Sequence, residues 1–154
     1  MIIRSIEAAD FHALHRLMEQ VHQLHVQARP DVYQGADALP QEHFRFLLSD
    51  PDTIALAAVE SGQIAGFCVV TLRKPASDPM LVPRRVAYLE ELCVDRSFRR
   101  RGAGRALFQQ ARELARQRGA QSLELMVWQF NQTARLFYES LGLTPRSTIL
   151  EQSL

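Results

Sequence analysis

The sequence predicts one mixed α/β domain, and three observations carry that prediction. Apolar residues at strand spacing and at helix spacing alternate along the whole chain. Two apolar runs, Thr53 to Glu60 and Gln63 to Leu72, meet at Ser61-Gly62, a hairpin signature. No linker, internal repeat or low-complexity tract divides the 154 residues, so residues 1–154 read as a single domain.

Ile2 to Ile6 reads as a short first strand. From Asp10, its expected N-cap, a helix follows with Phe11, Leu14, Leu17, Met18, Val21 and Leu24 on one stripe. Arg29-Pro30-Asp31 ends it, because proline restricts the residue before it and cannot continue a helix. Residues 29–39 form a loop, and Pro40 suits the first position of a second helix burying Phe44, Leu47 and Leu48. Asp50-Pro51 stops that helix. The two hairpin strands are almost continuously apolar, which predicts a sheet covered on both faces.

Pro75, Pro79 and Pro83 make Lys74 to Arg84 a loop. Arg85 to Asp95 is the next strand. Arg105 to Arg118 is a strongly amphipathic helix with Leu107, Ala111, Leu114 and Ala115 on one stripe and Gly119 as its stop. Leu123, Leu125 and Val127 alternate in a strand from Ser122 to Trp128. Gln132 to Ser140 is a helix with Leu136, Phe137 and Leu141 inward, and Thr148 to Glu151 is a candidate last strand.

Composition narrows the function classes. The net charge of +1 argues against nucleic acid or a membrane surface as the main partner. Cys68 and Cys93 sit in apolar runs and read as buried free thiols, with no metal site implied. The N-terminus has no signal-peptide pattern, and no run reaches transmembrane length. A cytoplasmic location is the default expectation.

The segment between the strand ending near Asp95 and the helix at Arg105 carries the chemistry. It reads Arg96-Ser97-Phe98-Arg99-Arg100-Arg101-Gly102-Ala103-Gly104. Glycines let backbone approach a ligand closely. The first turn of a helix has unpaired N–H groups and partial positive charge, so this turn suits a phosphate. The arginines raise the local potential further. The segment lacks the Gly-Lys-Ser/Thr ending of a P-loop and the third glycine of a dinucleotide fingerprint.

Arg99, Gly102 and Gly104 stand at the spacing of the signature of the GNAT superfamily, the acyl-CoA-dependent N-acyltransferases, which this chain resembles. Leu89-Glu90-Glu91-Leu92-Cys93-Val94 resembles that family's fourth strand. The segment from Trp128 through Asn131, Phe137-Tyr138 and Leu141-Gly142 resembles its second motif. The resemblance covers nearly the whole chain. It implies a splayed sheet of six to seven strands flanked by about four helices. It implies acetyl-CoA as co-substrate, with no metal, entering between the strand that ends near Asp95 and the strand from Ser122.

The resemblance also implies residue roles. Backbone N–H groups of Arg100, Arg101, Gly102, Ala103, Gly104 and Arg105 would hold the pyrophosphate, and Arg99, which opens the signature, would join them in binding the cofactor. The main chain of Leu92, Cys93 and Val94 would pair with the pantetheine arm like an added strand, and the Val94 N–H would serve the oxyanion. Asn131 would touch cofactor, although capping the helix at Gln132 explains it equally. Tyr138 is the expected general acid toward the coenzyme A thiolate. An amine must lose a proton to attack, and Glu90 and Glu91 are the nearest carboxylates. Strand alternation puts them on opposite faces unless a bulge intervenes. Glu90 is the favoured base, while Glu91 and Tyr33 are weaker candidates for the acceptor side.

His22 and His25 lie one helical turn apart, but no further metal ligands stand beside them. The expected function is acetyl transfer to a primary amine of a small molecule by direct attack in a ternary complex. The alternatives are an acyl-CoA-binding sensor without turnover and a protein or peptide N-acetyltransferase. The resemblance also admits a homodimer.

Overall fold

The chain folds, in a computed structural model that describes all 154 residues, around one five-stranded sheet. In chain order the elements are β1 (Ile2–Ser5), α1 (Phe11–Ala28), α2 (Gln41–Ser49), β2 (Thr53–Glu60), β3 (Gln63–Arg73), β4 (Val86–Val94), α3 (Ala103–Gln117), β5 (Ser122–Glu124) and α4 (Gln132–Ser140). Strands β1 to β4 are antiparallel neighbours, and β5 joins β4 in parallel. A parallel pair needs a long crossover, and α3 supplies it.

Each face of the sheet has its own core. On one face α3 buries Leu107, Phe108, Ala111 and Ala115 against Ile54, Leu56, Cys68, Val70 and Leu89. On the other, Leu14 and Leu17 of α1 and Phe44 and Leu47 of α2 pack on Ala55, Ala57, Phe67, Val69 and Cys93. The long apolar runs of β2 and β3 are the consequence, because their side chains are buried whichever way they point. Full burial of one such side chain contributes about 1.5–3 kcal/mol. Both cysteines are free and buried, and burial pushes each thiol up to about 12.

The sheet is smaller than expected. Thr148 to Glu151 forms no strand; Ile149 and Leu150 lie exposed, and Glu151 instead pairs with Arg29 at 2.7 Å. The strand predicted over Ser122 to Trp128 pairs with β4 only at Ser122 to Glu124. Alternation of Leu123, Leu125 and Val127 reports burial, which continues past the point where hydrogen bonding stops.

Three local expectations also change. Asp10 stands at the N-cap of α1 as expected, but its side chain does not bond the helix; its carboxylate accepts two bonds from Arg4, at 2.7 and 2.9 Å, and one from the Glu7 amide. Leu48 is exposed, because α2 reaches the core through Phe44 and Leu47 and the next residue turns away by about 100°. Leu136 is exposed because α4 flanks the end of the sheet and buries no residue fully.

Candidate active site

The register between β3 and β4 shifts by one residue at the two glutamates. Val70 pairs with Leu89 and Val69 with Glu91, which leaves Glu90 as an extra, unpaired residue. A one-residue bulge inverts the facing of everything beyond it. Leu89 therefore faces α3, whereas Cys93, of the same parity, faces α1 and α2. Glu91 goes with Cys93. Both Glu90 and Glu91 border a cavity of about 320 Å³. Its walls are Phe67, Val69 and Thr71 of β3, Met18 of α1, Leu39, and His43, Phe46 and Leu47 of α2.

The two carboxylates differ in environment. Glu90 is exposed at the rim, while Glu91 is half-buried. Burial first, and the neighbouring Glu90 charge second, push the Glu91 carboxyl up to about 7. A carboxylate titrating there is suited to accept a proton at neutral pH.

Beyond Val94 the chain turns through Asp95, whose carboxylate accepts from the Ser97 amide at 2.9 Å, the Ser97 hydroxyl at 2.7 Å and Arg16 at 3.3 Å. That Asp-x-Ser turn fixes the start of the loop, and its local hydrogen-bonding pattern is legible in sequence. Arg100 and Gly102 then take positive φ, 66° and 89°. The first intrahelical bond of α3 runs from the Ala106 amide to the Gly102 carbonyl. None of the amides from Arg99 to Arg105 donates to an acceptor within the chain. Seven consecutive free donors at a helix start can together hold an anion.

The same turn is held close to α4. A Cβ on Gly104 would stand 3.3 Å from the Phe137 ring and 3.5 Å from Val94. Of the loop arginines, Arg99 reaches the Val94 carbonyl at 3.4 Å and Arg105 the Ser140 hydroxyl at 3.2 Å. Arg101 lies over the Phe98 ring and 3.9 Å from Glu60. Arg96 and Arg100 make no side-chain bond within the chain.

A gap opens beside β4. Its ladder with β5 ends at Tyr88 and Glu124, so Leu89 to Val94 have no neighbour on that side. The Asp95 amide bonds to Ala65 of β3, and bonding alternates along a strand. The backbone groups of Leu92 and Val94 therefore point into the gap. Tyr138 lies on α4, and its hydroxyl makes no hydrogen bond within the chain. Burial, then the nearby Cys68 and Glu91, raise that phenol well above its ordinary value. A phenol so raised keeps its proton until a stronger base meets it.

Asn131 caps α4, its side-chain oxygen accepting from the Ala134 amide at 3.2 Å. Tyr33 does not line the cavity at the glutamates. Its hydroxyl accepts from the Trp128 indole at 2.8 Å, and its ring packs on His22 and His25. His22 and His25 do not converge on one point; they donate to the carbonyls of Gln34 and Val21. Sequence reasoning missed the α2 wall of the cavity, His43 and Phe46. Phe46 is an exposed aromatic beside a buried stripe, the one signal available.

Free helix-start amides, an unpaired strand edge and a half-buried carboxylate beside a bulge thus lie along β4 and the turn that follows it. Comparison with known proteins specifies the family. The profile described as the Acetyltransferase (GNAT) family matches residues 18–143, and the chain belongs to that family. It is thus an acetyl-CoA-dependent acetyltransferase. An uncharacterized N-acetyltransferase of Bacillus subtilis (strain 168), YhfO, is 31% identical over 142 residues, 92% of this chain and 89% of that one. The structure of the F44R mutant of the BH1408 protein from Bacillus halodurans is 29% identical, with a TM-score of 0.96, covering 100% and 99% of the two chains. The fold also matches an aminoglycoside 6′-N-acetyltransferase of Acinetobacter haemolyticus at 19% identity, with a TM-score of 0.76 and coverage of 100% and 98%. No helix is long and apolar enough to cross a membrane.

Proposed function

We propose that this enzyme transfers the acetyl group of acetyl-CoA to a primary amine of a small molecule, by direct attack in a ternary complex. The observation that carries the reading is the run of free amides from Arg99 to Arg105 beside the unpaired edge of β4. A diphosphate fits the first and an extended amide-bearing arm fits the second. Arg96 and Arg100 supply cationic side chains for a further phosphate.

Acetyl-CoA supplies the activated acyl carbon when bound. The Leu92 and Val94 main chain aligns the arm, and the Val94 N–H donates to the carbonyl oxygen as negative charge develops there. Glu91, on the cavity lining, accepts a proton from the incoming ammonium, and Glu90 lies beside it, more exposed. Burial favours Glu91 over Glu90 as the base, which reverses the preference drawn from sequence. The amine nitrogen then bonds to the acyl carbon as the carbon–sulfur bond breaks. Tyr138 gives its proton to the departing sulfur, and the second proton that the nitrogen sheds on becoming an amide returns to Tyr138 through solvent. Asn131 orders the start of α4 and so the position of Tyr138.

Titration calorimetry with coenzyme A tests the role of the free amides. We expect saturable binding that weakens with rising salt, because a polyanion is held by charge. Absence of binding at about millimolar coenzyme A, far above the micromolar KM values common among enzymes, would overturn the assignment.

A further inference from the structure

We infer that the acceptor is a monocationic amine on a compact apolar body, arylalkyl or branched alkyl, rather than a polycation or an amino acid. This rests on the reading that Glu90 and Glu91 mark where the acceptor nitrogen sits. The cavity they border is about 320 Å³, at the small end of ligand pockets. Its far walls are hydrocarbon and aromatic: Leu39, Phe67 and Val69 are buried, and Phe46 closes the α2 side.

The carboxylate charge on the lining comes from two residues adjacent in sequence. They are Glu90 and Glu91, at the bulge. One ammonium is matched by that pair. A second or third ammonium, as in a polyamine or aminoglycoside, would lie against Leu39, Phe67 and Val69 without a partner, where an unpaired charge is strongly disfavoured. No lysine or arginine lines the cavity, so an acceptor carrying a carboxylate or phosphate finds no cation and meets two glutamates. His43, on the α2 wall, is the only other titratable group on the lining. The remaining contacts reward apolar area.

The test is thiol release from acetyl-CoA by the full-length enzyme over a matched panel: 2-phenylethylamine, a series of linear alkylamines, spermidine, kanamycin and alanine. We expect kcat/KM for 2-phenylethylamine to exceed that for spermidine, kanamycin and alanine by at least about tenfold. Along the alkylamines it should rise about fourfold per methylene, the factor for burying one CH₂ group, until the cavity is full. Phe46 is half-exposed, so Phe46→Asp should fold, and its added carboxylate should move preference from 2-phenylethylamine toward spermidine. Equal or better turnover of spermidine, kanamycin or alanine by the wild type would overturn this inference and leave acetyl transfer standing. Binding of coenzyme A with no turnover of any panel amine would overturn both. Loss of coenzyme A binding would instead strike at the role of the free amides.

Discussion

Trp128 donates its indole N–H to the Tyr33 hydroxyl at 2.8 Å, across 95 residues of chain. The contact ties the loop after α1 to the segment between β5 and α4. The Arg29 guanidinium lies 4.9 Å from the centroid of the same indole and also binds Asp31 and Glu151. Tyr33→Phe leaves a half-buried indole donor without its partner. We expect it to lower stability by about 1 kcal/mol, the usual net worth of such a bond. An unchanged urea midpoint would mean that water replaces the hydroxyl there.

Glu91 supplies a pH dependence in both activity and stability. As the proposed base it must be ionised, so kcat/KM should climb as pH rises through about 7. Stability should run the other way. The folded carboxyl titrates near 7 against an ordinary 4.5, so the fold favours the protonated form. That contribution is complete below 4.5 and is lost as pH rises through about 7. Glu91→Gln should therefore be inactive yet more stable than wild type at alkaline pH, by a few kcal/mol at most. Glu90→Gln should keep the rising pH–rate profile but move it to lower pH, because the Glu90 charge helps raise the Glu91 carboxyl. A profile that flattens in Glu90→Gln and survives in Glu91→Gln would exchange their roles.

Tyr138→Phe isolates the proton given to sulfur. We expect kcat to fall by about 10²-fold or more, the ordinary share of a general acid. Coenzyme A affinity should stay near wild type, since the hydroxyl bonds to nothing in the chain. Turnover within about twofold of wild type would remove the assignment.

Two glycines near the free amides separate steric from conformational strain. At Gly66 an added Cβ would stand 2.5 Å from the Cys93 carbonyl oxygen, so Gly66→Ala must push β3 and β4 apart. We expect a loss of about 1–3 kcal/mol and a raised KM for acetyl-CoA, because β4 carries the proposed pantetheine edge. At Gly102 the space is open but φ is +89°. Gly102→Ala should cost about 1–2 kcal/mol through backbone strain alone. Thermal unfolding of both variants, with the wild type as reference, checks the ranking. A neutral Gly66→Ala would contradict the tight approach of the two strands.

Periodicity and local chemistry made most of the elements legible in the sequence. Amphipathic stripes located α1 to α4, and the continuous apolar runs of β2 and β3 announced a sheet covered on both sides. The glycines and arginines before α3 marked a candidate anion site, because helix-start amides and glycine conformations are local properties of the chain. Tertiary structure alone decided the rest. Strand alternation left Glu90 and Glu91 on opposite faces, and only pairing with β3 fixed the extra residue that brings both to one cavity. The short β5 and the missing last strand likewise depended on hydrogen-bond partners that burial patterns do not encode. A one-residue slip between strands changes no local preference yet reverses every facing beyond it, so it is settled by long-range packing.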